Sequence, residues 1–176
     1  MKRIWITSDW HFNHEPIKEF ENRPDNYEKI LIKKINNQVH HNDILINLWD
    51  VIFSRSWELK QYLARINCKN IILVRWNHDT KSFNFYMNQW FSFVCDEFKL
   101  SFEKYKILFS HIPQENLPNG YINIHGHLHS NIHRDGIHDG KHILYNPEKT
   151  WYNFVPILLR NIIKKNIPKQ ISWEHQ

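Results

Sequence analysis

Glycine is scarce in this chain: 4 of 176 residues, where an average share of about 7% would give roughly twelve. Tryptophan runs the other way, with 8. Cysteine is limited to Cys68 and Cys95. Two residues without CxxC spacing cannot build a disulfide framework, so a reducing cytosol is the expected setting. No apolar run is long enough to span a membrane. Met1-Lys2-Arg3 leads straight into an apolar strand pattern, not into a signal core with a small-residue cleavage site. Internal repeats and low-complexity linkers are also missing. These absences point to one globular domain over residues 1–176, expected in the cytoplasm, with no membrane and no evident protein partner.

What is present is a soluble composition, a formal charge of +5 and 13 histidines. The charge leaves room for an anionic partner without specifying one. Residues 4–7 are a short apolar run that reads as a buried strand. Residues 27–39 (YEKILIKKINNQV) carry apolar positions near helical spacing with lysines opposite, as in an amphipathic helix. Residues 43–50 (DILINLWD) read as a second strand, 57–66 as a helix and 70–76 (NIILVRW) as a third strand. This alternation predicts an α/β domain with a parallel sheet core. Thereafter, 93–102 and 105–110 read as adjacent strands, and 121–125 as another. Turns at Asp135-Gly136 and Asp139-Gly140 separate short strands over 131–145. The basic stretch 160–169 reads as a solvated helix end or a frayed terminus.

Polar residues close these strands: Asp9 and His11, Asp50, Asn77 and His78, His111, then His127 and His129. Two residues apart on an extended backbone, Asp9 and His11 would leave on one face. Taken singly each has a plain reading. Asp-x-His is common, Asp50 suits a helix N-cap, and Asn77-His78-Asp79 suits a turn. The pair in Gly126-His127-Leu128-His129 is harder to explain by packing. In open α/β sheets, residues outside the carboxyl ends of strands converge from distant parts of the chain. Two Asp, an Asn carbonyl and several His suit Mn, Fe or Zn better than Ca or Mg. The set is too large for one tetrahedral ion and fits two ions sharing a carboxylate. His14 reads as a residue behind the ligands or on the surface, His40, His41, His125, His133, His138, His142 and His175 as surface or local residues, and the aromatics as core.

The series DxH, an Asp after an apolar strand, NHD, a lone His and GHxH resembles the calcineurin-like metallophosphoesterases. Residues 151–156 (WYNFVP) also resemble the closing segment of small bacterial and phage members. The resemblance implies a sandwich of two mixed β-sheets flanked by helices. It implies two divalent transition-metal ions (Mn, Fe or Zn), the first on Asp9, His11 and His129, the second on Asn77, His111 and His127, with Asp50 bridging. His78 would handle protons as the catalytic histidine, with Asp79 beside it. The implied reaction is hydrolysis of a phosphomono- or phosphodiester by a hydroxide between the ions. The substrate would be a small phosphate ester, a nucleotide or a nucleic acid. A metallo-β-lactamase-like hydrolase fits poorly, because residues 127–132 (HLHSNI) lack the HxHxDH pattern.

The family writes GD and GNH[DE] where this chain has Trp49-Asp50 and Trp76-Asn77-His78-Asp79. Glycine suits a tight exit from a strand, and tryptophan adds bulk there. Two accounts stay open. The source decodes UGA as glycine while the translation reads it as tryptophan, in a chain already rich in Asn, Ile and Lys. Alternatively both tryptophans are native, and the protein is a catalytically impaired metal-binding or interaction module of the same fold.

Overall fold

A computed structural model describes residues 2–53, 56–76, 81–130, 140–149 and 153–167. Its elements in chain order are β1 (Ile4–Thr7), α1 (Pro16–Phe20), α2 (Tyr27–Gln38), β2 (Ile44–Asn47), α3 (Ser56–Ala64), β3 (Asn70–Val74) and α4 (Phe83–Met87). Then follow β4 (Phe93–Cys95), β5 (Phe98–Phe102), β6 (Tyr105–Phe109), β7 (Tyr121–His125), β8 (His142–Leu144), β9 (Ile157–Leu158) and α5 (Leu159–Asn166).

Two mixed sheets carry the fold. The first has the order β4-β3-β2-β1-β9, parallel except for β9. The second has the order β5-β6-β7-β8, with β5 antiparallel to β6 and the remaining pairs parallel. Strand periodicity divides the apolar residues between two cores. Ile6, Ile46 and Val74 face Ile107, Phe109, Ile122, Ile124 and Ile143 between the sheets, and Leu159, Ile162 and Ile163 of α5 join them. Their alternates Trp5, Leu45, Ile71 and Leu73 face outward, onto Tyr27, Leu31, Ile32 and Ile35 of α2 and Leu59 and Leu63 of α3. The sequence of α2 makes this possible, since its apolar positions form one stripe and its lysines lie off it.

The sequence-based expectations of two sheets and flanking helices hold, with corrections. Residues 93–102 are not one strand: β4 pairs with β3 in the first sheet and β5 with β6 in the second. The charged pair Asp96-Glu97 marks the crossing, and Arg75 Nε donates to Asp96 at 2.8 Å. The short helices α1 and α4 carry too few residues to show a period, and the sequence reading omitted them. β2 and β3 stop at Asn47 and Val74, short of the polar residues that were expected to end them. His125, read as a surface or local residue, is buried. The expected turn at Asp135-Gly136 lies outside the described residues. No helix among them is long and apolar enough to cross a membrane.

Candidate metal centre

The loop after β1 runs alongside the loop after β2, and the strand ladder continues between them. Leu48 N donates to the Thr7 carbonyl at 2.9 Å, Asp9 N to Trp49 at 3.0 Å, His11 N to Asp50 at 2.8 Å and Phe12 N to Val51 at 2.9 Å. This zipper holds Asp9 and His11 beside Asp50. The second sheet supplies the opposite wall: Gly126 N donates to the His111 carbonyl at 3.0 Å, which sets His127 and His129 against His111.

The backbone there is not the extended one expected from the sequence. Asp9, His11, Asp50, His127 and His129 have φ of 54°, 52°, 48°, 72° and 48°. These are left-handed conformations, which Asp, Asn and His tolerate better than other side chains and which concentrate at functional sites. Convergence therefore arises from turns beyond the strand ends, not from alternation along a strand.

Among the described residues, three groups of ligand-type atoms gather within 4.8 Å: one is Glu21, His129 and Glu148, and the other two are Asp9, His11, Asp50 and His129, and Asp50, His111 and His127. The last two share Asp50. Its Oδ2 lies 3.6 Å from His11 Nε2 and 3.5 Å from His111 Nε2. His11 Nε2 faces His129 Nε2 at 3.1 Å, and His111 Nε2 faces His127 Nδ1 at 3.0 Å. Ring nitrogens aimed at one another gain little as partners, and they form a suitable donor set for cations placed between them. Among the described residues, the buried Asp9 Oδ2 has no hydrogen-bond partner. A buried carboxylate oxygen without a partner is costly, and a divalent ion would satisfy it. The residues present therefore fit a metal centre.

For His11 and His111 the electrostatics agree. Burial lowers the basicity of His11, and neighbouring cations lower it further. Burial takes His111 down to about 3, although its Nδ1–H donates to the Leu48 carbonyl at 2.8 Å. Both rings are therefore neutral near pH 7, as metal ligation requires. Burial raises Asp9 to about 6 despite His129. Burial also opposes the charge on His129, but Asp9 and Glu148 outweigh it and hold the ring at about 9.

Asn77, His78 and Asp79 lie outside the described residues. All the other expected ligands are brought together. Two participants were missed: Glu148, whose oxygens are both 3.3 Å from His129 Nδ1, and Arg23, which pairs with Glu148. Neither belongs to a strand-end motif, so no local pattern singled them out. His14 joins the margin, its Nδ1 3.0 Å from His11 Nδ1. Phe53 stacks on His11 and His14, with centroids at 4.8 and 4.0 Å. The Trp76 ring lies 5.9 Å from His111 and 5.5 Å from His127.

The family model described as calcineurin-like phosphoesterase matches residues 2–176. This chain belongs to the calcineurin-like phosphoesterase family. It is 30% identical over 179 aligned positions to the uncharacterized protein MJ1445 of Methanocaldococcus jannaschii, covering 93% of this chain and 91% of that one. Its fold matches the crystal structure of AQ665, a protein of unknown function from Aquifex aeolicus. There the TM-score is 0.75 and the identity 24%, over 94% of this chain and 100% of the other. A structure described as a novel archaeal phosphodiesterase is 19% identical with a TM-score of 0.47, over 70% of this chain and 72% of the other. As a calcineurin-like phosphoesterase, the chain has the metallophosphatase fold with candidate metal-ligand clusters at one end of its two sheets.

Proposed function

We propose that this calcineurin-like phosphoesterase is a hydrolase of phosphate mono- or diesters that works with two divalent ions, Mn, Fe or Zn. Asp9, His11 and His129 would hold one ion, Asn77, His111 and His127 the other, and Asp50 both. One observation carries the reading: two groups of ligand atoms share the Asp50 carboxylate. When bound, such a pair of ions polarises a phosphate and acidifies water between them. The residues supply the rest. Neutral His11 and His111 offer lone pairs, and the His111 Nδ1 bond to Leu48 fixes which nitrogen faces the site. His78, assigned through the family motif, would stabilise charge on the phosphate or protonate the leaving oxygen. The whole of 1–176 would act as one domain, with the cytoplasm as its setting.

The second reading, a metal-binding module of impaired activity, is favoured by the Trp76 ring beside His111 and His127, where it crowds the approach to one group. Turnover of bis(p-nitrophenyl) phosphate and p-nitrophenyl phosphate by Mn-loaded protein separates the two. Hydrolysis that stops on chelation and returns with Mn supports the enzyme. Full metal loading without turnover of either ester, or of a nucleotide panel, supports the module.

A further inference from the structure

His129 faces two ways. Its Nε2 meets His11 and Asp9, at 3.1 and 3.5 Å, while its Nδ1 meets Glu148. Glu148 is itself held. Arg23 Nε donates to it at 2.8 Å, and Arg23 Nη2 pairs with the same oxygen. The Arg23 side chain is fully buried, and its other bonds go to the carbonyls of Trp10 at 3.1 Å and Asp9 at 2.8 Å. Asn146 completes the frame: its Nδ2 donates to the His129 carbonyl and its Oδ1 accepts from Glu148 N at 2.8 Å. One buried guanidinium thus ties the backbone of Asp9 to the carboxylate that grips His129, although the two residues come from different sheets.

Resting on the two-ion reading above, we propose that Glu148, clamped by Arg23, is a positioning residue that fixes the orientation and tautomer of His129. With Nδ1–H held on Glu148, Nε2, beside Asp9 and His11, is the nitrogen that would give up its proton to a bound ion. Removing such an outer partner typically costs about 10–100-fold in metal affinity. The test is chelator-competition titration of Mn, with the visible spectrum of the Co-loaded protein as a second readout. Glu148→Ala should weaken one of two ions by roughly that factor and shift the Co bands. Glu148→Gln, nearly isosteric and still an acceptor, should recover much of the affinity. Wild-type protein that retains two ions, with both variants matching its affinity and spectrum, would overturn the role of Glu148 alone. Wild-type protein that retains no ion would remove the two-ion reading itself.

A different observation concerns the backbone. Trp49 and Trp90 have φ of 81° and 76°, matching Gly120 at 78° and Gly140 at 74°. The left-handed region open to L-residues spans roughly +50 to +70°, and bulky side chains are penalised even there. Trp90 follows the end of α4, with Gln89 N bonded to Tyr86 O at 2.9 Å and Trp90 N to Met87 O at 3.4 Å. Trp90 lies two residues past the α4 cap Asn88, in a turn where a left-handed residue is normally glycine. Trp90 is 58% exposed, so packing of the indole does not hold it in place. Trp49 immediately precedes Asp50, and its carbonyl accepts from Asp9 N, so its strain lies inside the candidate centre.

With 4 glycines against 8 tryptophans, we infer that positions 49 and 90 are glycine in the natural polypeptide, decoded from UGA. Trp76 is not among the positive-φ residues, and the same codon test decides it separately. The gene should carry UGA at codons 49 and 90, and peptides from the native source should show glycine there. UGG at these codons, or native peptides with tryptophan, would overturn the inference. Trp90→Gly gives an independent reading: it should raise the melting temperature by a few degrees, and a fall would count against position 90.

Discussion

Gly126→Ala puts the packing of the centre to a quantitative test. A Cβ at Gly126 would lie 2.0 Å from Ser8 Oγ, 2.7 Å from Asp9 Oδ2 and 2.9 Å from Ser8 Cβ. Ser8 cannot swing away freely, because it is fully buried and its hydroxyl donates to the Leu48 carbonyl at 2.8 Å. Overpacking of this kind costs about 1–3 kcal/mol, and loss of the Ser8 bond adds about 1 kcal/mol. The expected sum of roughly 2–4 kcal/mol corresponds to a fall of about 4–16 °C in melting temperature for a chain of this size. Function should suffer as well, since displacing Asp9 by about 1 Å can cost on the order of 10²-fold. Differential scanning fluorimetry and Mn titration read the two effects. Gly140→Ala is the control: its Cβ meets nothing within 4 Å, so only strain from its φ of 74° remains, and metal affinity should not change. Ser8→Ala combined with Gly126→Ala removes the closest contact and should recover part of the loss. A Gly126→Ala protein with unchanged melting temperature and metal affinity would refute the reasoning.

Two further outcomes separate neighbouring roles. His78→Ala should keep both ions and lower turnover by roughly 10²–10⁴-fold, whereas His111→Ala should weaken an ion; the reverse pattern would invert those assignments. At acid pH, Asp43 is the group to follow. Burial pushes its carboxyl up, but bonds from Arg3, the His40 amide and the Trp5 indole outweigh this and hold it at about 2, against 3.8 unperturbed. A depressed carboxyl contributes stability that is complete above about pH 4 and is lost as pH falls toward 2. Arg3 is partly exposed, so the contribution is at most about 2 kcal/mol. Asp43→Asn should flatten that part of the stability–pH curve, measured by denaturant unfolding between pH 5 and about 2.

The candidate centre was legible because strand-end Asp and His residues are chemically distinctive, and a parallel topology brings such ends together. Five of the six described candidates turned out to need positive φ, which no local pattern of Asp-x-His or His-x-His announces. Glu148 and Arg23 escaped for a different reason. Their meaning lies in a pairing across 125 positions of sequence, and a lone Glu or Arg carries no period. Apart from the two-residue β9, which no pattern announced, the strands of both sheets were readable from short apolar runs. The break between β4 and β5 was not, because Phe93–Cys95 and Phe98–Phe102 join into one run with only a charged pair between them. Short α1 and α4 have too few turns for helical spacing to emerge above the surrounding loops.

Elemental analysis of protein loaded with Mn or Zn and then freed of unbound ion tests the central claim most directly. The sharing of Asp50 between two ligand groups predicts two ions per chain in the wild type and loss of both in Asp50→Ala. Wild-type protein retaining no ion, or Asp50→Ala retaining both, would contradict it.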